Sequence, residues 1–392
     1  MKYIAVLLQS DIKTNVRAIK TITTLSGIAL VDLFYIGENE MDNQIFDKNV
    51  KLYPIKKPHG LIAKIRQNLF FTNEYLFFVK EILKVNKKYD FVWANDLPTL
   101  KPASIIKKKT GAKLIYDSFE IYYETVNQFF DAKNSKIKQI IFPIIIFFMR
   151  IIGKVTEKHL IKKIDYFITT CTSFKNYFQK IRNYKIDIKI VMNCPFMNQC
   201  NEIYDLREKY NISQKTKIAL FQGVLNKGRA LKELVESIEF INSDIKLIIL
   251  GYGTLKNDLI EHAKQKNVIN KIIFDVVSLS ELPKYTKGAD FGINLQAPVN
   301  LSKKLASANK LYEYIHANIP IIASDVPENR LTIEKYKVGV LVNNTAQDIA
   351  KSIDFMANAN YTEYKENCKK AALEYNWENQ EKVLLDIISS KK

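Results

Sequence analysis

The chain has 392 residues, 47% of them hydrophobic, with 12 glycines and 10 prolines. That composition excludes a disordered or collagen-like chain and predicts two domains, each with its own core. The formal net charge is +18, with about +15 in residues 1–200 and about +3 in the rest. A basic half of this kind points to a polyanion, and nucleic acid, an anionic membrane and a phosphorylated substrate all stay open.

From the N-terminus, strand-length apolar runs alternate with helix-length periodic segments. MKYIAVLL is too short an apolar run for a signal peptide and lacks a small-residue cleavage site, so residues 3–8 read as a first strand. A helix at 16–26, strands at 31–36 and 91–94, a helix carrying Leu100 and Ile105, and a strand at 113–116 follow. After a long helical region come strands at 166–170 and 189–192. The alternation restarts beyond Asn193, with strands at 218–222, 246–250, 272–275, 291–295, 319–323 and 338–342 and a last amphipathic helix at 377–388. The pattern predicts an α/β fold of two doubly wound, mainly parallel sheets, with domains at 1–197 and 198–375 and a C-terminal segment at 376–392.

Residues 140–152, IIFPIIIFFMRII, are almost continuously apolar, with Lys136 and Lys138 before them and Lys154, Lys158, Lys162 and Lys163 after. The run falls short of the roughly 20 apolar residues that span a bilayer. It reads either as a buried core helix or as an interfacial segment whose lysines meet anionic headgroups. The basic first half favours the second.

Two loops carry anion-binding chemistry. Residues 307–324, SANKLYEYIHANIPIIAS, run from a polar loop through a short amphipathic helix to an apolar strand. Such a helix start offers free N–H groups and a positive dipole end to a phosphate. Glu313 stands one turn further in, placed either for a ribose hydroxyl or as a solvated helix residue. Residues 221–229, FQGVLNKGR, combine a strand end, Gly223, Lys227, Gly228 and Arg229 ahead of a second helix. Gly251-Tyr252-Gly253 reads as a tight turn.

These loops resemble the donor motifs of family-4 type (group 1) glycosyltransferases, in the variant with an aromatic-Glu-Tyr helix. The resemblance implies the GT-B architecture: two facing doubly wound domains with ligands at the C-terminal strand ends, and a tail that crosses back to the first domain. It implies donor contacts from Gly223, Lys227, Arg229, Gly251, Phe274, Asn309, Lys310, Leu311 and Glu313, with Glu313 on the ribose and Phe274 beside the base. Where relatives carry a further Glu and a further Arg, this chain has Leu305 and Val224. In the first half, residues 11–17 (DIKTNVR) resemble the family's opening loop, with Arg17 the matched residue. Asp117-Ser118-Phe119-Glu120 resembles its Asp-Ser-His-Glu motif with Phe in place of His. The resemblance then implies Asp117 and Glu120 as catalytic carboxylates, and Arg17, Asp96 and Glu124 on the acceptor side. The alternative for Glu120 and Glu124 is a structural pair on one helix face.

No DxD motif occurs, and the four cysteines (Cys171, Cys194, Cys200, Cys368) and four histidines (His59, His159, His262, His316) show no metal-ligand spacing. No metal and no cofactor is therefore expected, with a nucleotide sugar as substrate. The resemblance implies a retaining hexosyltransferase using a UDP-linked donor and a glycan or lipid-linked acceptor. Its expected place is cytoplasmic, peripheral at the anionic inner face of the membrane, with no nucleic-acid partner. A nucleotide-sugar 2-epimerase of the same fold and a non-catalytic polyanion-binding protein are the rivals.

Overall fold

The computed structural model describes residues 1–37, 46–56, 76–129, 136–197 and 202–390; His59 and Cys200 lie outside them. The chain folds as two compact units, one of Met1–Met192 with Gln380–Lys392 and one of Asn193–Asn379. The last helix, Trp377–Ser389, starts in the second unit and belongs to the first from Gln380 onward.

The first unit holds seven parallel strands: β1 (Lys2–Leu8), β2 (Ala29–Ile36), β3 (Val50–Ile55), β4 (Phe91–Asn95), β5 (Lys113–Ser118), β6 (Tyr166–Thr169) and β7 (Ile188–Ile190). Their order in the sheet is β3-β2-β1-β4-β5-β6-β7. The second unit holds β8 (Lys217–Gln222), β9 (Ile245–Leu250), β10 (Ile272–Asp275), β11 (Phe291–Asn294), β12 (Ile321–Ser324) and β13 (Gly339–Val342), ordered β10-β9-β8-β11-β12-β13. In each sheet the order reverses beside the first strand, at β1/β4 and at β8/β11. Successive helices leave on opposite faces there, which opens a crevice at the C-terminal strand ends. The central strands are buried on both faces, as helix-covered parallel strands must be: Ile218 to Phe221 in β8 and Leu247 to Ile249 in β9 are fully enclosed.

The structure adds β3 and a helix at Phe77–Lys84 to the expected elements. Pro54 sits inside β3, which is tolerated because β3 is an edge strand. Residues 120–124 are not a helix. Ile121 has ψ 84°, and a single 3-10 turn, Tyr122–Glu124, follows, so Glu120 and Glu124 share no helix face.

The apolar run belongs to a 25-residue helix, Lys136–Leu160, longer than the run itself because helical residues continue past Ile152. By length and composition it is long enough to cross a membrane. Its two faces differ. Met149, Glu157 and Leu160 are buried, and Met149 packs on Val126 with Tyr122, Ile145 and Ile146 around them. Ile140, Ile141, Ile144, Phe147, Phe148, Ile151 and Val155, spaced as one helical stripe, are 42–69% exposed.

Candidate active site

In the second unit the site grows from the end of β8. Gly223 has φ +130°, a conformation that L side chains rarely adopt, and a Cβ there would stand 3.3 Å from Arg229 Nη1 and 4.0 Å from Lys310 Nζ. The bare Gly223 backbone thus lets two cations from separate elements converge on one point. Lys310 is only 5% exposed, and its Nζ makes no hydrogen bond among the described residues; it lies 3.6 Å from the centroid of the Phe221 ring. Burial first, then the Arg229 charge, holds the Lys310 ammonium well below its ordinary pKa, with Glu313 opposing. Burial lowers Arg229 as well. Lys310 stands in the first turn of the helix Asn309–His316, whose N-cap Ala308 supplies no side-chain cap. Its first N–H groups and two desolvated cations make a place for a doubly or triply charged anion.

Glu313, one turn on, accepts a hydrogen bond from the Gln222 side chain, whose carbonyl accepts from Thr286 Oγ1 at 2.8 Å. Tyr314 lies below: its hydroxyl donates to Leu220 O at 3.0 Å and accepts from Gln222 N–H at 3.2 Å. A Cβ on Gly292 would strike the Tyr314 ring at 2.5 Å, so Gly292 in β11 is what admits the ring. Gln222, Thr286 and Tyr314 orient Glu313, and none was marked in the sequence. Of the expected donor residues, Gly251 packs against Gly223 so closely that a Cβ would meet its carbonyl oxygen at 2.0 Å. Leu311 is buried and its N–H donates to Ala308 O, so it supports the loop from behind. Phe274 is half-buried and packs against the hydrophobic core. Lys227 and Asn309 are exposed at the loop and at the helix start.

In the first unit the expected acceptor residues gather at the ends of β1, β4 and β5. Arg17 and Asp117 are both buried and pair at 2.9 Å, and Arg17 also donates to Val191 O and covers the Phe119 ring at 4.9 Å. Burial raises the Asp117 pKa, with Arg17 and the Trp93 indole opposing. Asp117 therefore anchors Arg17. Asp96 differs: it has φ +59°, an unusual conformation for a non-glycine residue, beside the β1/β4 crevice. One of its oxygens accepts Phe119 N–H at 2.7 Å, and the other faces the Gln9 amide at 3.4 Å. Burial, then the Glu120 charge, raises its pKa well above the ordinary carboxylate range. A strained, buried carboxyl coupled to a second carboxylate is suited to exchanging a proton or hydrogen-bonding a hydroxyl. Glu124 is buried and paired with Lys154 at 3.0 Å and Arg150 at 3.4 Å, which ties its turn to the long helix.

Among the described residues no three His, Cys, Asp or Glu side chains converge to hold a metal ion. His316 donates to Tyr375 O at 2.7 Å, a structural role.

Residues 202–375 match the family model described as glycosyl transferases group 1. A stretch of 83 residues is 31% identical to the N-acetylgalactosamine-N,N'-diacetylbacillosaminyl-diphospho-undecaprenol 4-alpha-N-acetylgalactosaminyltransferase of Campylobacter jejuni, covering 19% of this chain and 23% of that protein. The chain thus matches about a quarter of that relative's length. Over its whole length the fold is similar to sucrose-phosphate synthase from Thermosynechococcus elongatus, with a TM-score of 0.73, 13% identity and coverage of 99% and 98% of the two chains. HepE of Anabaena, solved with UDP, gives 0.72, 12% and coverage of 99% and 100%. WaaG, a glycosyltransferase involved in lipopolysaccharide biosynthesis, gives 0.69, 14% and the same coverage. At such identities the likeness speaks for the fold alone, and the fold is GT-B. The match to the group 1 glycosyltransferase model lies within the second unit, and the chain has the GT-B fold.

Proposed function

We propose that the chain transfers a sugar from a UDP-linked donor to a hydroxyl of a lipid-linked or surface glycan, with retention of configuration and without a metal ion. The observation that carries this reading is the convergence of Arg229 and Lys310 on Gly223, next to a Glu313 already oriented by Gln222. The cation pair and the helix start would take the charge of the departing diphosphate, the part a divalent cation plays elsewhere. As the bond from the anomeric carbon to the diphosphate breaks, a bond to the acceptor oxygen forms and the hydroxyl proton passes to an oxygen of the released diphosphate. Retention follows from the family resemblance.

Uracil is favoured over guanine by the state of Asp275. Guanine's N1–H and exocyclic amine call for a carboxylate, and Asp275, at the end of β10, is already engaged. It accepts Val276 N–H at 2.7 Å and the Tyr210 hydroxyl at 2.6 Å, and it pairs with Lys209 at 3.2 Å.

Asp96 with Glu120 would orient the acceptor hydroxyl, while Arg17, Asp117 and Glu124 hold the surrounding loops. The exposed stripe on Lys136–Leu160 and the lysines beyond it support a peripheral seat on an anionic membrane at its cytoplasmic face. The buried opposite face supports a helix that lies in the interface. The Campylobacter jejuni relative is named for a lipid-linked acceptor, which fits this seat.

The test is release of UDP from UDP-sugars with a polyprenyl-diphosphate-linked glycan, in the presence of a chelator. Turnover in the chelator that drops at least 100-fold in Arg229→Ala is the expected result. Release that requires added Mg²⁺ or Mn²⁺ would overturn the metal-free mechanism.

A further inference from the structure

We propose that Glu157 is a proton-operated lock between the long helix Lys136–Leu160 and the sheet of the first unit, closed while its carboxyl is protonated and loosened once it ionises. The lock belongs to the scaffold and does not depend on the donor-site reading. Hydroxyls enclose the side chain. Glu157 is fully buried; the Tyr116 hydroxyl, from β5, donates to its Oε1 at 3.0 Å and the Tyr184 hydroxyl donates to its Oε2 at 2.9 Å. Beside it the buried Tyr123 and Tyr177 join their hydroxyls at 3.0 Å. Four segments thus meet the helix at one carboxyl: β5, the turn Tyr122–Glu124, the π-helical turn Tyr177–Ile181 and the residues that reach Tyr184.

Cations stay one group away. Arg182 Nη2 donates to Lys154 O at 2.7 Å and to the Tyr184 hydroxyl at 3.2 Å, and its guanidinium lies over the Tyr123 and Tyr184 rings. Lys154 pairs with Glu124 and stands 5.6 Å from the centre of the Tyr123 ring. The helix Asp96–Thr110, which packs on the long helix as well, brings Lys107, bonded to Lys163 O and Asp165; its Lys108 and Lys109 are exposed, and the Asp96 charge is felt at Tyr116. Residues 126–129 carry no titratable side chain, and Lys162 and Lys163 are exposed. Among the described residues no cation is bonded to Glu157 itself.

An ion in such a box is disfavoured, because lost hydration outweighs what two hydroxyl donors restore. A hydroxyl accepts as readily as it donates, so the same box satisfies the neutral carboxyl. Burial accordingly pushes the Glu157 pKa up to about 7, with Tyr184, Tyr116, Arg182 and Tyr123 opposing. Burial raises all four tyrosines too, which keeps them neutral. A closed state that holds its proton to about pH 7, against 4.5 for an open and solvated one, is favoured at acidic pH and weakens as pH rises through 7. The opposite face of this helix bears the exposed apolar stripe, and Tyr116 and Tyr123 directly precede Asp117 and Glu124. The proton therefore sets how firmly the stripe and the turn carrying Glu124 are held.

The experiment is amide hydrogen exchange of the full chain at about pH 6 and about pH 8, read by mass spectrometry and corrected for the intrinsic rate. Peptides from residues 150–163 and from β5 are expected to open about 10-fold more at the higher pH, while those from β8 and β9 stay constant. Glu157→Gln should remove the difference. Tyr116→Phe takes away a donor to the ion and should move the loosening to higher pH. Infrared spectra read the proton directly: the band of a buried protonated carboxyl should be present at about pH 6, fade by about pH 8, and be missing in Glu157→Gln. Opening that does not change with pH in wild type, or changes equally in Glu157→Gln, would overturn the lock. So would a carboxyl band that is absent at the lower pH or undiminished at the higher.

Discussion

The two crevices of this chain are built on the same strand order and treat charge in opposite ways. In the second unit Arg229 and Lys310 are brought together with, among the described residues, no carboxylate hydrogen-bonded to the Lys310 ammonium, and the Lys310 charge is held down by burial and by its neighbour. In the first unit the buried charges are largely settled among themselves: Arg17 with Asp117, and Glu124 with Lys154 and Arg150. Asp96 there is pressed by the like charges of Glu120 and, more weakly, Asp117. A site whose charge is unsettled awaits a charged ligand, whereas one whose charges are paired holds loops in place. The same motif-level resemblance therefore weighs differently in the two halves.

The sharpest way to break this comparison is to unpair the first unit. Arg17→Met leaves Asp117 buried without its cation and should cost about 3–5 kcal/mol of stability, read by denaturant unfolding. The double variant Arg17→Met, Asp117→Leu should recover most of that loss. A second effect, of comparable order, concerns Glu157, fully buried on the long helix. It accepts hydrogen bonds from Tyr116 at 3.0 Å and Tyr184 at 2.9 Å, with Arg182 bonded to Tyr184 at 3.2 Å. Burial pushes its pKa up to about 7. The folded state then binds its proton more tightly than the unfolded state does, so stability from this group falls as pH rises from about 4.5 to 7. The loss approaches roughly 3 kcal/mol, and Glu157→Gln should flatten that part of the unfolding-versus-pH curve.

In the second unit the effects should appear in binding. Lys310→Met is expected to weaken UDP about 10- to 100-fold, in line with a lost charge-assisted contact of roughly 1.5–3 kcal/mol. A diphosphate raises the depressed Lys310 pKa, so UDP binding should take up protons in the pH range where free Lys310 titrates. Calorimetry in buffers of different ionisation enthalpy reads this uptake, and Lys310→Met should abolish it. The smallest change is expected at the exposed apolar stripe of Lys136–Leu160: if it seats on a membrane as proposed, Phe147→Ser with Phe148→Ser should reduce sedimentation with anionic vesicles while leaving UDP affinity unchanged.

Where local pattern decided the structure, the sequence revealed it. The strands of both units lie within a residue or two of their apolar runs, and the loop-helix unit 307–316 stands where its composition placed it. The departures have physical causes. Pro54 masked β3, because a proline inside an apolar run argues against a strand unless the strand is an edge. Arg17 and Asp117 pair across 100 positions of chain, and Gln222 reaches Glu313 across 91, so their partnership has no local signature. Asp96 is named in the sequence only through the family resemblance, whereas its left-handed backbone and the pressure on it from Glu120 exist only in the folded unit.

The central claim is that the second unit holds a nucleoside diphosphate on the Arg229–Lys310 pair with Glu313 on its ribose. The direct measurement is the thermal unfolding of wild type and Glu313→Ala with UDP, GDP and CMP, following each transition separately since the two units are free to melt apart. At about 100 times its dissociation constant a bound nucleotide stabilises its unit by roughly 2.7 kcal/mol. The account predicts an upward shift with UDP, larger than with GDP or CMP and diminished in Glu313→Ala. No shift with any of the three would contradict it and turn the basic chain toward a non-catalytic polyanion-binding role.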